Sequence, residues 1–141
     1  MRQIFLILFS LFILSNYINA QCIGFVKTVG FNELDTEKYV PEGRYDAITL
    51  SEGDYLKVYK SFFRGKTYKV VVVADKQIPL FHFKIKKMNG DLVYDSSENS
   101  DKSWEYISDR NQNLMIEVEL SNSHSSTIGT GCVAIILGYK I

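Results

Sequence analysis

The sequence predicts an all-β domain: a single sandwich or barrel of about eight to nine strands, closed by one disulfide. Two stretches carry this expectation. Tyr55 to Phe63 reads YLKVYKSFF, with Leu56, Val58, Lys60 and Phe62 on one side of an extended chain and Tyr55, Lys57, Tyr59 and Phe63 on the other. A period of two marks a half-buried strand. Tyr68 to Ala74 reads YKVVVVA, and four β-branched residues in a row suit a central strand covered on both faces. Arg64-Gly65-Lys66 lies between them, with glycine where a turn needs one. The two strands are therefore expected to form a hairpin with one amphipathic arm and one buried arm. Other short strands, separated by turn signals about every eight to twelve residues, point to a sandwich or barrel.

The first 20 residues have the anatomy of a cleavable secretory signal. Met1-Arg2 is a short positive region, Ile4 to Leu14 is an apolar stretch interrupted only by Ser10, and Ser15 to Ala20 is more polar and ends on a small residue. The apolar stretch is 11 residues long, well short of the roughly 20 needed to span a bilayer. Gln21 stands where a lipobox would need a small residue before Cys22, so lipidation is not expected and Gln21 is the expected mature N-terminus. The domains are then a signal peptide over 1–20 and a β-sandwich over 21–141. The mature chain is expected outside the cytoplasm, secreted or periplasmic, or associated with the outer membrane. It has no second stretch of spanning length.

The chain carries 16 basic and 16 acidic residues, and loss of Arg2 leaves a net charge of −1. Without a basic run, nucleic acid is not an expected partner. Two cysteines, Cys22 and Cys132, lie near the two ends of the mature chain. An even pair in an oxidising compartment is most simply a disulfide. No CxxC spacing or neighbouring histidine favours a metal or redox pair.

Taken in order, Cys22 to Phe31 (CIGFVKTVGF) is expected as a first strand, held beside the last one by the disulfide. Asn32 to Tyr45 is a polar connection with room for one helical turn, and Ala47 to Leu50 is a short strand. Ser51-Glu52-Gly53-Asp54 turns into the strand from Tyr55. After the valine strand, Leu80 to Lys87 alternates, with Phe81, Phe83 and Ile85 opposed to His82, Lys84 and Lys86. Asn89-Gly90 predicts a type I′ hairpin, which needs positive φ at both central residues. Asp91 to Tyr94 returns as a strand, Asp95 to Ser103 is a polar loop, and Trp104 to Ser108 is a short strand. In Asn113 to Leu120, Leu114, Ile116, Val118 and Leu120 face in while Met115, Glu117 and Glu119 face out. A Ser/Gly-rich loop with His124 leads to a closing strand over Val133 to Ile141.

The Gly53-Asp54 turn, the Gly65 to Tyr68 turn before the valine strand, the Phe-x-Phe-x-Ile strand and the Asn89-Gly90 hairpin ending Val93-Tyr94-Asp95 occur here in one order, with a late Ile116-Glu117-Val118 strand. Over about Thr49 to Leu120 this order resembles the bacterial pre-peptidase C-terminal domain. The resemblance implies a jelly-roll-like sandwich used as an accessory or binding module. The short secreted form is similar to small envelope proteins of Bacteroidota. The disulfide and the closing strand lie outside the resemblance, and this chain carries no protease domain.

No residue pattern points to a catalytic site. His82 lies on the lysine side of its strand and reads as a surface imidazole; His124 lies in a serine-rich loop; the chain has no Gly-x-Ser-x-Gly elbow. Glu117 and Glu119 share a strand face and are expected to keep it wet. The candidate binding face is Tyr55, Lys57 and Tyr59, with Trp104: aromatic side chains on a sheet anchor protein partners and stack on sugars, unless they pack beneath another strand. Asp95, Asn99 and Asp101 are a calcium candidate, being hard oxygen ligands closely spaced but without the full loop pattern. The expected function is therefore a non-enzymatic binding module, an accessory subunit of a cell-envelope protein assembly without a cofactor. The alternative is a carbohydrate-binding module, using Tyr55, Tyr59 or Trp104 and assisted by calcium.

Overall fold

The computed structural model describes residues 22–43, 45–78, 80–98, 101–121 and 129–141. The expected signal peptide, Gln21, Asn99 and His124 lie outside them. Nine strands form two antiparallel sheets: β1 (Tyr39–Pro41), β2 (Asp46–Ser51), β3 (Tyr55–Phe62), β4 (Thr67–Ala74), β5 (Phe81–Lys87), β6 (Leu92–Asp95), β7 (Ser103–Ile107), β8 (Gln112–Leu120) and β9 (Thr130–Lys140). One sheet runs β2-β9-β4-β7, with β1 also against β9; the other runs β3-β8-β5-β6. This is the strand order of a jelly roll: each connection from β2 onward crosses between the sheets, except β5–β6.

The expected hairpin of β3 and β4 does not form. β3 pairs with β8, while β4 lies between β9 and β7 in the other sheet. The turn explains why. Lys66 N–H donates to Phe63 O at 3.4 Å and Gly65, third of the four residues, has φ +80°, as in a type II turn. Such turns splay the strands they join, whereas hairpins favour the mirror-image types. The β5–β6 hairpin does form, but not as type I′. Among the described non-glycine residues only Asp35 has positive φ, so Asn89 does not, while Gly90 has φ +93°. Gly90 N–H donates to Lys87 O and Lys87 N–H to Asp91 O, with a register shift after Ile85. The turn is a type I with its glycine in the bulge.

Alternation sorts the side chains as the sequence implies. Phe62, Tyr68, Val70, Val72, Phe83, Ile85, Leu114, Ile116, Val118, Val133, Ile135 and Leu137 fill the space between the sheets. Lys60 also points inward, from edge strand β3, and its Nζ lies 2.7 Å from Asp46 Oδ2 on β2. A lysine turned inward on an edge strand discourages pairing with another chain, and here it also ties the two sheets at their open side.

The first strand expected over Cys22 to Phe31 is instead helical. Residues 22–25 are α-helical, Val26–Gly30 form a π-helical stretch and Phe31–Leu34 complete the segment, together termed α1. Cys22, Val26, Gly30 and Leu34, four residues apart, are its buried positions. Four-residue spacing keeps one stripe in register through a helix widened by a π turn. The stripe covers Val71, Val73, Ala134 and Ile136 on the outer face of the first sheet, so the valine run of β4 is buried on both sides. Gly30 lets α1 lie close to the sheet there: a Cβ would meet Ile136 Cδ1, and that buried side chain would have to shift. Cys22 is bonded to Cys132 across 110 residues, which pins α1 to β9.

Candidate functional site

The outer face of the four-stranded sheet is a built polar surface, laid down by register. Tyr55 pairs with Glu119 and Glu119 with His82; Lys57 with Glu117 and Glu117 with Lys84; Tyr59 with Met115 and Met115 with Lys86. Since opposed residues in antiparallel strands project to the same side, these nine side chains form three rows. Tyr55 and Tyr59 stand 64% and 61% exposed, so among the described residues no strand or loop packs over them. Four residues along a strand separates them by about 13 Å.

Glu117 is the hub of this face. It is only 6% exposed, and it accepts from Lys57 Nζ at 2.9 Å and Lys86 Nζ at 2.6 Å. The hydrogen bond from Lys86, then that from Lys57, holds its carboxyl below the ordinary value of 4.5 despite burial, which acts the other way. Lys57 is raised in turn, chiefly by its bond to Glu117, and its ammonium lies 5.1 Å from the Tyr55 ring centroid. Because the folded carboxyl titrates below the unfolded one, this cluster stabilises the fold fully above about pH 4.5, and the contribution is lost as pH falls through the lowered folded value. Glu117→Gln is expected to cost about 1–2 kcal/mol at neutral pH, the lysines being partly solvated, and to flatten the acid limb of a stability-versus-pH curve. Urea unfolding of both proteins from pH 7 to pH 3 checks this.

His82 is not a free surface imidazole. Its Nε2 lies 2.8 Å from Glu119 Oε2 and its Nδ1 3.5 Å from Ser121 Oγ. A serine, a histidine and a glutamate are thus brought into line. The Ser121 N–H donates to Leu80 O at 3.2 Å, so these contacts tie Ser121, just past β8, to the start of β5.

Trp104 does not join the tyrosines. It lies on β7 in the opposite sheet, stacked on Tyr106 with centroids 4.7 Å apart and on Tyr94 at 5.8 Å, and it packs against the core. Of the calcium candidates, Asp95 and Asp101 are engaged by their neighbours. Asp95 Oδ1 accepts from Ser97 N–H at 2.9 Å and Ser97 Oγ–H at 2.7 Å, lowering its carboxyl. Asp101 Oδ2 accepts from the Tyr94 hydroxyl at 3.3 Å. Among the described residues, no three His, Cys, Asp or Glu side chains converge to hold a metal ion, and no helix is long and apolar enough to cross a membrane. The rows of paired side chains were within reach of the sequence as alternating strands; which strand lies beside which was not.

No protein-family model and no curated protein matches the sequence. Among solved structures, the fold is similar to the crystal structure of Aeromonas hydrophila PliG, a periplasmic lysozyme inhibitor of g-type lysozyme. The TM-score is 0.53 at 9% sequence identity, over 69% of this chain and 85% of that one.

Proposed function

We propose that this protein is a non-catalytic binding module, exported behind the signal peptide over 1–20, that engages a protein partner in the cell envelope through the outer face of β3, β8 and β5. The observation that carries the proposal is the exposure of Tyr55 and Tyr59 on either side of Lys57, on a strand whose neighbours are already locked by Glu117 and Glu119. Tyrosine offers a large, rigid, amphipathic contact area at small entropic cost. Side chains paired before binding lose less freedom on association. The likeness in fold to a periplasmic inhibitor of another protein supports a protein as the partner. The accessory-subunit role and the kinship with pre-peptidase C-terminal domains belong to this proposal.

The test is co-purification from the native cell in mild detergent, with a tag after Ile141, comparing the natural protein with a Tyr55→Ala/Tyr59→Ala variant. A near-stoichiometric protein partner is expected with the natural chain and not with the variant, each truncation costing about 1–2 kcal/mol of binding at an unchanged melting temperature. Retention on a glycan array that depends on the two tyrosines, with no protein partner, would replace this proposal with carbohydrate binding.

A further inference from the structure

The end of the sandwich where β3 leads to β4 differs in character from the tyrosine face. Two turns meet there, one over 63–66 and one over 108–111. Gly65 N–H donates to Ser108 O at 2.8 Å, Ser108 N–H to Lys66 O at 3.0 Å and Arg64 N–H to Asn111 Oδ1 at 2.8 Å. Phe63 N–H donates to the hydroxyl of buried Tyr68 at 3.0 Å. This frame is stiff, yet it holds apolar side chains out in water: Phe63 is 48% exposed and Ile107 71%. The β5–β6 turn reaches the same end, because Lys87 pairs with Leu114 as Phe62 pairs with Gln112, and its Met88 is 63% exposed.

Charges lie beside these side chains: Arg110 is paired with Asp109 and Lys87 with Asp91. Among the described residues, Arg64 and Lys66 have no carboxylate within ion-pair distance. The Lys66 ammonium lies instead over the rings of Tyr139 and Phe63, at 4.6 and 5.9 Å. Single exposed apolar residues are ordinary. Three at one end, on or next to hydrogen-bonded turns that carry two cations with no ion-pair partner among the described residues, are a surface.

We propose that this end docks on an anionic lipid surface. Phe63, Met88 and Ile107 enter the boundary between headgroups and acyl chains, while Arg64 and Lys66 rest on the lipid phosphates. Two features favour lipid over a protein. The apolar side chains carry no nitrogen or oxygen and stand out at turns or a strand end, exposed to water, which a bilayer accommodates by deforming and a protein only with matching sockets. The cations sit beside them, where the potential of an anionic surface acts. The tyrosine face uses different residues, so either surface can fail without the other.

Sedimentation with vesicles tests this, using phosphatidylcholine alone and phosphatidylcholine mixed with phosphatidylglycerol. The protein is expected to sediment with the mixed vesicles and to be released by salt. Phe63→Ser/Ile107→Ser should weaken that partitioning at least about tenfold, and Arg64→Gln/Lys66→Gln should abolish its dependence on phosphatidylglycerol. Tyr55→Ala/Tyr59→Ala should bind vesicles like the natural protein. No sedimentation with either vesicle overturns the proposal, as does full binding by a Phe63→Ser/Ile107→Ser protein that melts normally. Equal binding to both vesicles overturns the role of the cations. Loss of a protein partner by that variant, with vesicles ignored by the natural chain, makes this end a protein interface instead.

Discussion

Phe62→Ala is expected to lower the unfolding free energy by about 3–5 kcal/mol, the range for truncating a buried phenylalanine where the site cannot collapse. Phe62 is the last inward residue of β3 and is fully buried. Its ring crosses from one sheet to the other, edge-on to Tyr68 at 4.8 Å, Tyr106 at 6.0 Å and Trp104 at 6.5 Å. These large rings come from two strands held by their own ladder, β4 and β7, so they cannot all move into the space left behind. Phe63 supplies the control: one residue further on, it points outward, and Phe63→Ala should stay within about 0.5 kcal/mol. Equilibrium urea unfolding of the three proteins measures the contrast. Equal effects at 62 and 63 would mean that the two sheets do not meet through this ring.

Removal of the disulfide is the second large effect expected. The Cys22→Ser/Cys132→Ser protein, or the natural one under reductant, should lose roughly 2–4 kcal/mol. The bond spans 110 residues, so it restricts the unfolded chain strongly. In the folded state it fastens α1 over Val71, Val73, Ala134 and Ile136. The loss should therefore be graded in structure: a lower melting temperature, together with binding of a hydrophobic dye as the cap lifts from the first sheet, while the space between the sheets stays closed. A melting temperature unmoved by reduction would show that α1 holds its place without the bond.

The inner face of the half-buried strands β3, β5 and β8 could be read from alternation alone, because such a strand imposes its period directly on residue type. Leu56, Val58, Lys60 and Phe62 are inward as the sequence implies, and Leu114, Ile116, Val118 and Leu120 likewise. Partnership was not legible. The same Gly65 that marks a turn serves a hairpin or a crossing between sheets, and only the turn type, set by backbone angles, distinguishes them. The helical cap was missed because Phe25, Val26, Val29 and Phe31 are good strand formers, whereas its stripe of Cys22, Val26, Gly30 and Leu34 includes a glycine and so hides its apolar character. At the site, Tyr55, Lys57 and Tyr59 stand on one exposed face. Trp104 shares only their aromatic type, which says nothing of the sheet a strand joins. The clamp of Lys57 and Lys86 on Glu117 joins three strands and depends on the jelly-roll order.

Photocrosslinking tests the central claim most directly. A benzoylphenylalanine is placed at Tyr59 and, in a separate protein, at Val29 on the outer surface of α1, across the sandwich from the tyrosine face. Both proteins are irradiated in the native cell. A discrete protein adduct from position 59, absent from position 29 and reduced by Tyr55→Ala, is the predicted result. No adduct at 59, or the same adduct from both positions, would contradict the assignment of this face to a protein partner.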